Sequence, residues 1–236
     1  MIDIIEQYWK AYLFWDGTAP SGLIITLWLL VASLAIGFIL AIPLSMARAS
    51  DNRFFRRSVW LFTYIFRGTP LYVQLLLIYS GLYTLGVVRS HAFLDHFFRN
   101  GMNCTLLAFA LNTCAYTTEI FAGSIRAVAR GEIEAARAYG MLRLTQYRRI
   151  ILPAALRRAL PSYSNEVILM LHATTLAFTA TVPDVLKVAR DVNTATYQPL
   201  QAFGLAALIY LSVSFLLIGV FRRAERRWLA FLRPRM

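Results

Sequence analysis

Windows of about 20 largely apolar residues, the length a helix needs to cross a bilayer, recur near residues 22–46, 59–88, 102–125, 160–182 and 202–221. A soluble core of this size needs no runs so long and so frequent. Composition agrees, with 58% hydrophobic and 15% charged residues and a mean hydropathy of +0.56, where soluble domains hold about half and about a quarter. The expected fold class is all-α integral membrane, with five transmembrane helices in a single domain over residues 1–236. No linker, low-complexity tract or short-period repeat divides the chain. Asp3 and Glu6 precede Lys10, and the first long run exceeds a signal-peptide core, so no cleaved signal is expected.

The formal net charge of +12 could indicate nucleic acid, so its placement decides. Residues 1–20 sum to −2, 88–101 to +1 and 183–199 to 0, whereas 48–57 sum to +3, 126–158 to +6 and 222–236 to +5. The excess falls on alternate connections, as the positive-inside rule requires of a bilayer protein. That rule puts the N-terminus outside and the C-terminus in the cytoplasm. Topology accounts for the arginines, no nucleic-acid motif accompanies them, and a nucleic-acid partner is not expected. Cys104 and Cys114 would lie about 15 Å apart along one helix, too far for a disulfide.

The spans differ in polarity. The first and last carry hydroxyls, glycine and one proline as their exceptions and can face lipid. The second carries Arg67, Gly68, Thr69 and Pro70; the third Asn103, Asn112, Tyr116 and Glu119; the fourth Asn165, Glu166, His172 and several threonines. Ionisable groups at membrane depth face a bundle interior or a wet cavity, where they mark a functional path or pair for assembly. Gly68 and Pro70 interrupt the second helix, either beside a transport path or as a packing kink.

The longest internal segment is cytoplasmic by charge and is patterned as well as basic. Glu132, Glu134, Ala135 and Ala136 favour a helix. Gly140 can end it through a left-handed cap, and Leu144, Tyr147, Ile150 and Ile151 offer an apolar stripe on a second helix, which Pro153 closes. Ala135 and Ala136 would form a small-residue knob able to seat closely in a partner's groove. A hairpin lying on lipid phosphates is the other reading.

Glu134, Ala135, Ala136, Gly140, Ile150, Leu152 and Pro153 spell E-A-A, three residues, G, nine residues, I, one residue, L-P. This pattern resembles the EAA loop of membrane subunits of bacterial ATP-binding-cassette (ABC) importers, here spanning residues 129–156. The segments RGTPLYVQL and YTTEIFAGSIRAV resemble permeases for polar amino acids. WLFTYIFRGTPLYVQLL, LNTCAYTTEIFAG, GEIEAARAYG and YSNEVILMLHATTLAFTATVPD resemble, more narrowly, the M-type subunits of importers for histidine, lysine, arginine and ornithine. The resemblance implies a type I (MetI-like) importer permease of a bacterial inner membrane, and a coupling role for the seven loop residues. It also implies a related Q-type permease partner, two copies of an ATP-binding subunit that holds ATP and Mg, and periplasmic binding proteins. One departure stands out: the wider family has Lys, then Asp or Asn, then T-S-L where this chain has His172, Ala173, Thr174, Thr175 and Leu176.

A cationic substrate must have its water replaced by negative or hydrogen-bonding groups. On a helix Glu166, Met170 and Thr174 share one face, with His172 to one side. A neutral imidazole at His172 would spare a cation the repulsion of the family's lysine. The expected substrate path is therefore Glu166, His172, Thr174 and Thr175, with Arg67 as a carboxylate contact, and Glu119 and Asn165 are expected to be structural. No nucleophile–base pair or metal-spaced cluster appears, with His91, His96 and His172 scattered, so neither an enzyme nor a metal site is expected. The absence of a Walker A pattern assigns ATP hydrolysis to another subunit. The alternatives are a permease for another polar amino acid and a secondary transporter, against which the lack of an inverted repeat argues.

Overall fold

The computed structural model describes residues 2–229, whose regular elements are all helical; two isolated bridges join Trp15 to Pro20 and Gly22 to Asp184. The amphipathic α1 (Ile2–Leu13) turns into α2 (Leu23–Ala49), a rod of 27 residues and so about 40 Å long. Gly22 makes that turn. Its φ is 66°, and a Cβ there would stand 2.1 Å from the Tyr12 carbonyl oxygen.

Asn52 caps α3 (Arg53–Gly68) by accepting from the Phe54 N–H. The chain then breaks at Thr69 and Pro70 and resumes as α4 (Leu71–Leu76), a π turn (Leu77–Gly81) and a 3-10 turn (Leu82–Thr84). The two arms are bent by 100°, so the apolar run 59–88 is not one straight span. Pro70 lacks an N–H and crowds the preceding turn, and Thr69 is accordingly extended.

Short helices α5 (Gly86–Ser90) and α6 (Ala92–Arg99) lead to α7 (Gly101–Arg126), followed by α8 (Arg130–Ala138) and α9 (Arg143–Gln146). A π turn (Tyr147–Ile151) runs directly into α10 (Leu152–Ala173), which passes through a 3-10 segment (Thr174–Ala180) to α11 (Val185–Thr196) and α12 (Pro199–Trp228). Pro153 therefore does not close the two-helix pattern. It sits in the first turn of α10, where an N–H is not needed, and the helical path continues through it.

The bundle is organised around α7, which is buried on most sides by α2, α3, α4 and α10. Leu29 and Leu30 of α2, Leu75 of α4, Ala108 and Phe109 of α7, and Met170 and Leu171 of α10 meet in the main core. Gly37 lets α2 and α7 cross closely, since a Cβ there would come within 2.5 Å of the Thr113 methyl carbon. Among the described residues α2 and α12 are long and apolar enough to cross a membrane alone, and the bent α3–α4 pair makes a third candidate. The helices α7 and α10 also have the length, but polar side chains dilute them.

Candidate functional site

The broken helix is held by amides. Gln74 Nε2 donates to the Phe66 carbonyl at 2.8 Å, the Thr69 carbonyl at 2.9 Å and Thr69 Oγ1 at 2.8 Å. From α7, Asn112 Nδ2 donates to the same Phe66 carbonyl at 3.0 Å and to Gln74 Oε1 at 3.3 Å. Carbonyls freed by Pro70 thereby recover partners inside the protein, which non-helical backbone at membrane depth requires. Beside them the exposed Arg67 guanidinium stacks 5.2 Å over the Tyr116 ring, while the Tyr116 hydroxyl donates to the Arg67 carbonyl at 3.4 Å. Sequence reasoning singled out Arg67 and Asn112 but missed Gln74, although an amide four residues beyond a helix-breaking proline is a usable signal.

Glu119 sits where α2, α3 and α7 meet. Its Oε1 accepts from Arg48 Nε at 2.6 Å and from Thr63 Oγ1 at 2.7 Å. Two more cross-ties finish this end of the bundle: Arg126 Nη2 donates to the Arg48 carbonyl at 2.9 Å, and Arg158 donates to the Ala127 carbonyl. Asn165, paired with Glu119 in the sequence expectation, lies exposed and makes no side-chain hydrogen bond among the described residues.

Glu166 and Met170 on α10 and Thr174 at the start of the 3-10 segment face inward, with Glu166 6% exposed, while His172 on α10 is exposed. The hydroxyls of Thr113, Thr117 and Thr118 on α7 are buried without hydrogen-bond partners, and Thr113 lies near the Glu166 carboxyl. Arg67 forms no ion pair with Glu166, although it lies within Coulombic reach of both Glu166 and Glu119. Thr174 Oγ1 donates to the Leu171 carbonyl at 2.6 Å and approaches Tyr210 Oη at 3.5 Å; Thr175 Oγ1 donates to the His172 carbonyl at 2.6 Å. His172 Nε2 stands 3.4 Å from Ser214 Oγ of α12. The five path residues are therefore split between an inner face (Glu166, Thr174) and an outer one (Arg67, His172), with Thr175 half-buried between.

At the opposite end of the bundle Asp184 caps α11, accepting from the Leu186 and Lys187 N–H groups at 3.2 and 2.9 Å, and Tyr210 Oη donates to its Oδ2 at 3.4 Å. Burial pushes this carboxyl up to about 6 against those hydrogen bonds. Its only sequence signal was a polar residue directly after a proline.

The hairpin closes as a Schellman turn. Gly140 takes φ 70° and donates to the Arg137 carbonyl at 2.9 Å, and the Met141 N–H donates to the Ala136 carbonyl at 3.1 Å, the paired bonds of that motif. Gln146 Nε2 pins the far side by donating to the Met141 carbonyl at 2.6 Å. Ala136 is 3% exposed and lies against its own chain, as does Ile151, whereas Glu134, Ala135, Tyr139, Leu142 and Leu144 are exposed. The alanine pair is thus not a single knob: Ala135 faces outward and Ala136 is buried against its own chain. Of the apolar stripe on the second arm, Leu144 is exposed, Tyr147 and Ile150 are half-buried and Ile151 is buried. Ile150, Leu152 and Pro153 are half-buried where the π turn joins α10.

An all-helical bundle with an amide-clasped broken helix and a protruding basic hairpin has the architecture of an inner-membrane transport component. The family of binding-protein-dependent transport system inner membrane components matches residues 33–229, and the chain belongs to that family. It is 65% identical over 229 residues, 97% of each chain, to the histidine/lysine/arginine/ornithine transport system permease protein HisM of Salmonella typhimurium. A solved amino acid ABC transporter with histidines is 30% identical and superimposes with a TM-score of 0.76 over 87% of this chain and 92% of that one. The inward-facing methionine ABC transporter MetNI shares the fold at 15% identity, with a TM-score of 0.70 over 87% and 93%.

Proposed function

We infer that the chain is the membrane permease subunit of an ATP-driven importer for the basic amino acids histidine, lysine, arginine and ornithine. The observation that carries this reading is the 65% identity to HisM across 97% of both chains. The hairpin supplies its mechanical part. Glu134, Ala135 and Tyr139 offer an exposed face to a nucleotide-binding subunit, Gly140 sets the angle between the two arms, and Ile150, Leu152 and Pro153 join the second arm to α10. Movement of the docked hairpin is thereby transmitted along one helical path to Glu166. Two ATP-binding subunits hold ATP and Mg and hydrolyse the nucleotide, a Q-type permease completes the membrane pair, and periplasmic binding proteins deliver substrate. The chain crosses the membrane five times with its N-terminus outside.

Selectivity follows from charge. A cation in a low-dielectric path needs a fixed negative group, and Glu166 is the acid of α10 that faces the bundle interior. Thr174 and Thr175 supply hydroxyls, Arg67 is placed to meet a carboxylate, and His172 occupies a position where a lysine would repel. Uptake of labelled arginine, lysine and histidine into vesicles holding the assembled complex tests this. His172→Lys and Glu166→Gln are expected to lower arginine and lysine uptake about tenfold or more, a change of ~1.4 kcal/mol or more. Parental uptake by both assembled variants would move the determinant to the partner permease or the binding protein.

A further inference from the structure

A cleft of about 480 Å³ opens between the end of α2 and the start of α3, lined by Arg48, Arg56, Arg57, Trp60 and Leu61. Arg48 is spent on Glu119, but the side chains of Arg56 and Arg57 are exposed and make no hydrogen bond or ion pair among the described residues. The acid nearest in sequence, Asp51, is exposed and pairs with none of them. Two stripes at i, i+4 spacing run from these arginines along one side of α3: Arg56, Trp60, Tyr64 and Arg57, Leu61, Ile65. Trp60 is 46%, Leu61 53%, Tyr64 64% and Ile65 49% exposed, and the Trp60 and Tyr64 rings stack at 5.0 Å.

We propose that this cleft binds the phosphate of an anionic glycerophospholipid, with the acyl chains lying along Leu61, Tyr64 and Ile65. Guanidinium groups present forked donors that match phosphate oxygens two at a time. A basic group at one end of a helix face and an exposed apolar stripe continuing from it match the head and tail of a lipid in order and direction. An acidic protein surface would satisfy the arginines but leave the apolar stripe beneath them unexplained. Tryptophan one turn below the arginines falls at the depth where indole rings favour the bilayer interface. No membrane orientation is required beyond α3 lying within the bilayer, so the site stands apart from the reading of transport specificity.

The test is lipid retention by the purified complex with its partner subunits, read by native mass spectrometry during titration with dioleoyl phosphatidylglycerol or dioleoyl phosphatidylcholine. The parent should retain phosphatidylglycerol in clear preference to phosphatidylcholine. Arg56→Gln with Arg57→Gln should weaken that retention about 25-fold, about fivefold for each arginine, and the double lysine variant should keep most of it. Neutralising Arg222 and Arg223 instead should change nothing; an equal loss there would mean general charge attraction and overturn the site. Displacement of the lipid by inorganic phosphate alone would assign the cleft to free phosphate and overturn it as well. Unchanged lipid retention by the double glutamine variant, with or without loss of the ATP-binding subunit, would show that this face meets no lipid headgroup.

Discussion

Gly140 is the residue whose chemistry sets the hairpin most directly. Nothing lies within 4 Å of where its Cβ would stand, so a side chain there meets backbone strain alone, about 1–2 kcal/mol for an L-residue in the left-handed region. Gly140→Ala should leave membrane insertion unchanged and reduce recovery of the ATP-binding subunit on co-purification, with Gly140→Asn milder; equal recovery from all three would remove the turn from the coupling role. Asp184 gives a pH dependence. Its folded value near 6 lies above the ordinary 3.8, so the folded state holds the proton more tightly than the unfolded chain. Stability from this group is complete below about 4 and is lost as pH rises to about 6. Melting of the purified complex should follow that slope, and Asp184→Asn should flatten it; an unchanged slope in the variant would assign the titration elsewhere. Gly140 was legible because a glycine between helix-forming runs has one common use. The facing of Ala135 and Ala136 was not, because adjacent helical residues point about 100° apart, and which one turns inward depends on how α8 packs against the π turn.

The break in the second apolar run is held by an amide clasp that can be removed piece by piece. Gln74→Ala leaves the Thr69 carbonyl without its donor and Asn112→Ala leaves Gln74 Oε1 without one, while the Phe66 carbonyl keeps one amide donor in either single variant; each buried polar group left unpaired costs about 1–3 kcal/mol. Both variants should lower the melting temperature and the uptake rate. Because the bond between the two amides is already lost in either single variant, the double variant should cost less than the sum. Strict additivity would mean that the two amides act independently and that no shared clasp exists. Gly68 and Pro70 announced this break in the sequence. The 100° bend did not follow from them, since its partner, Asn112, comes from a helix 46 residues away from Phe66. The length of α10 was hidden for a related reason: Pro153 reads as a stop in isolation, but the first turn of a helix accepts it.

For the whole molecule, the all-helical membrane class was legible from apolar run length without any knowledge of packing. What that signal cannot give is which helix sits at the centre. That position belongs to α7, whose threonines and asparagines make it less apolar than α2 and α12 yet more buried. Orientation is checked with a reporter active only outside the cytoplasm. It should work after Asp16 or within residues 92–99 and fail within 129–148 or after Arg226, and the reverse at any two sites would overturn the five-span arrangement. The central claim, that the hairpin is where an ATP-binding subunit docks, is tested most directly by cysteine cross-linking in the assembled complex. The native Cys104 and Cys114 are both buried, so new thiols report alone. Ala135→Cys should cross-link to the ATP-binding subunit and Ala136→Cys, turned into its own bundle, should not; cross-linking at neither position, with the complex intact, would contradict the account.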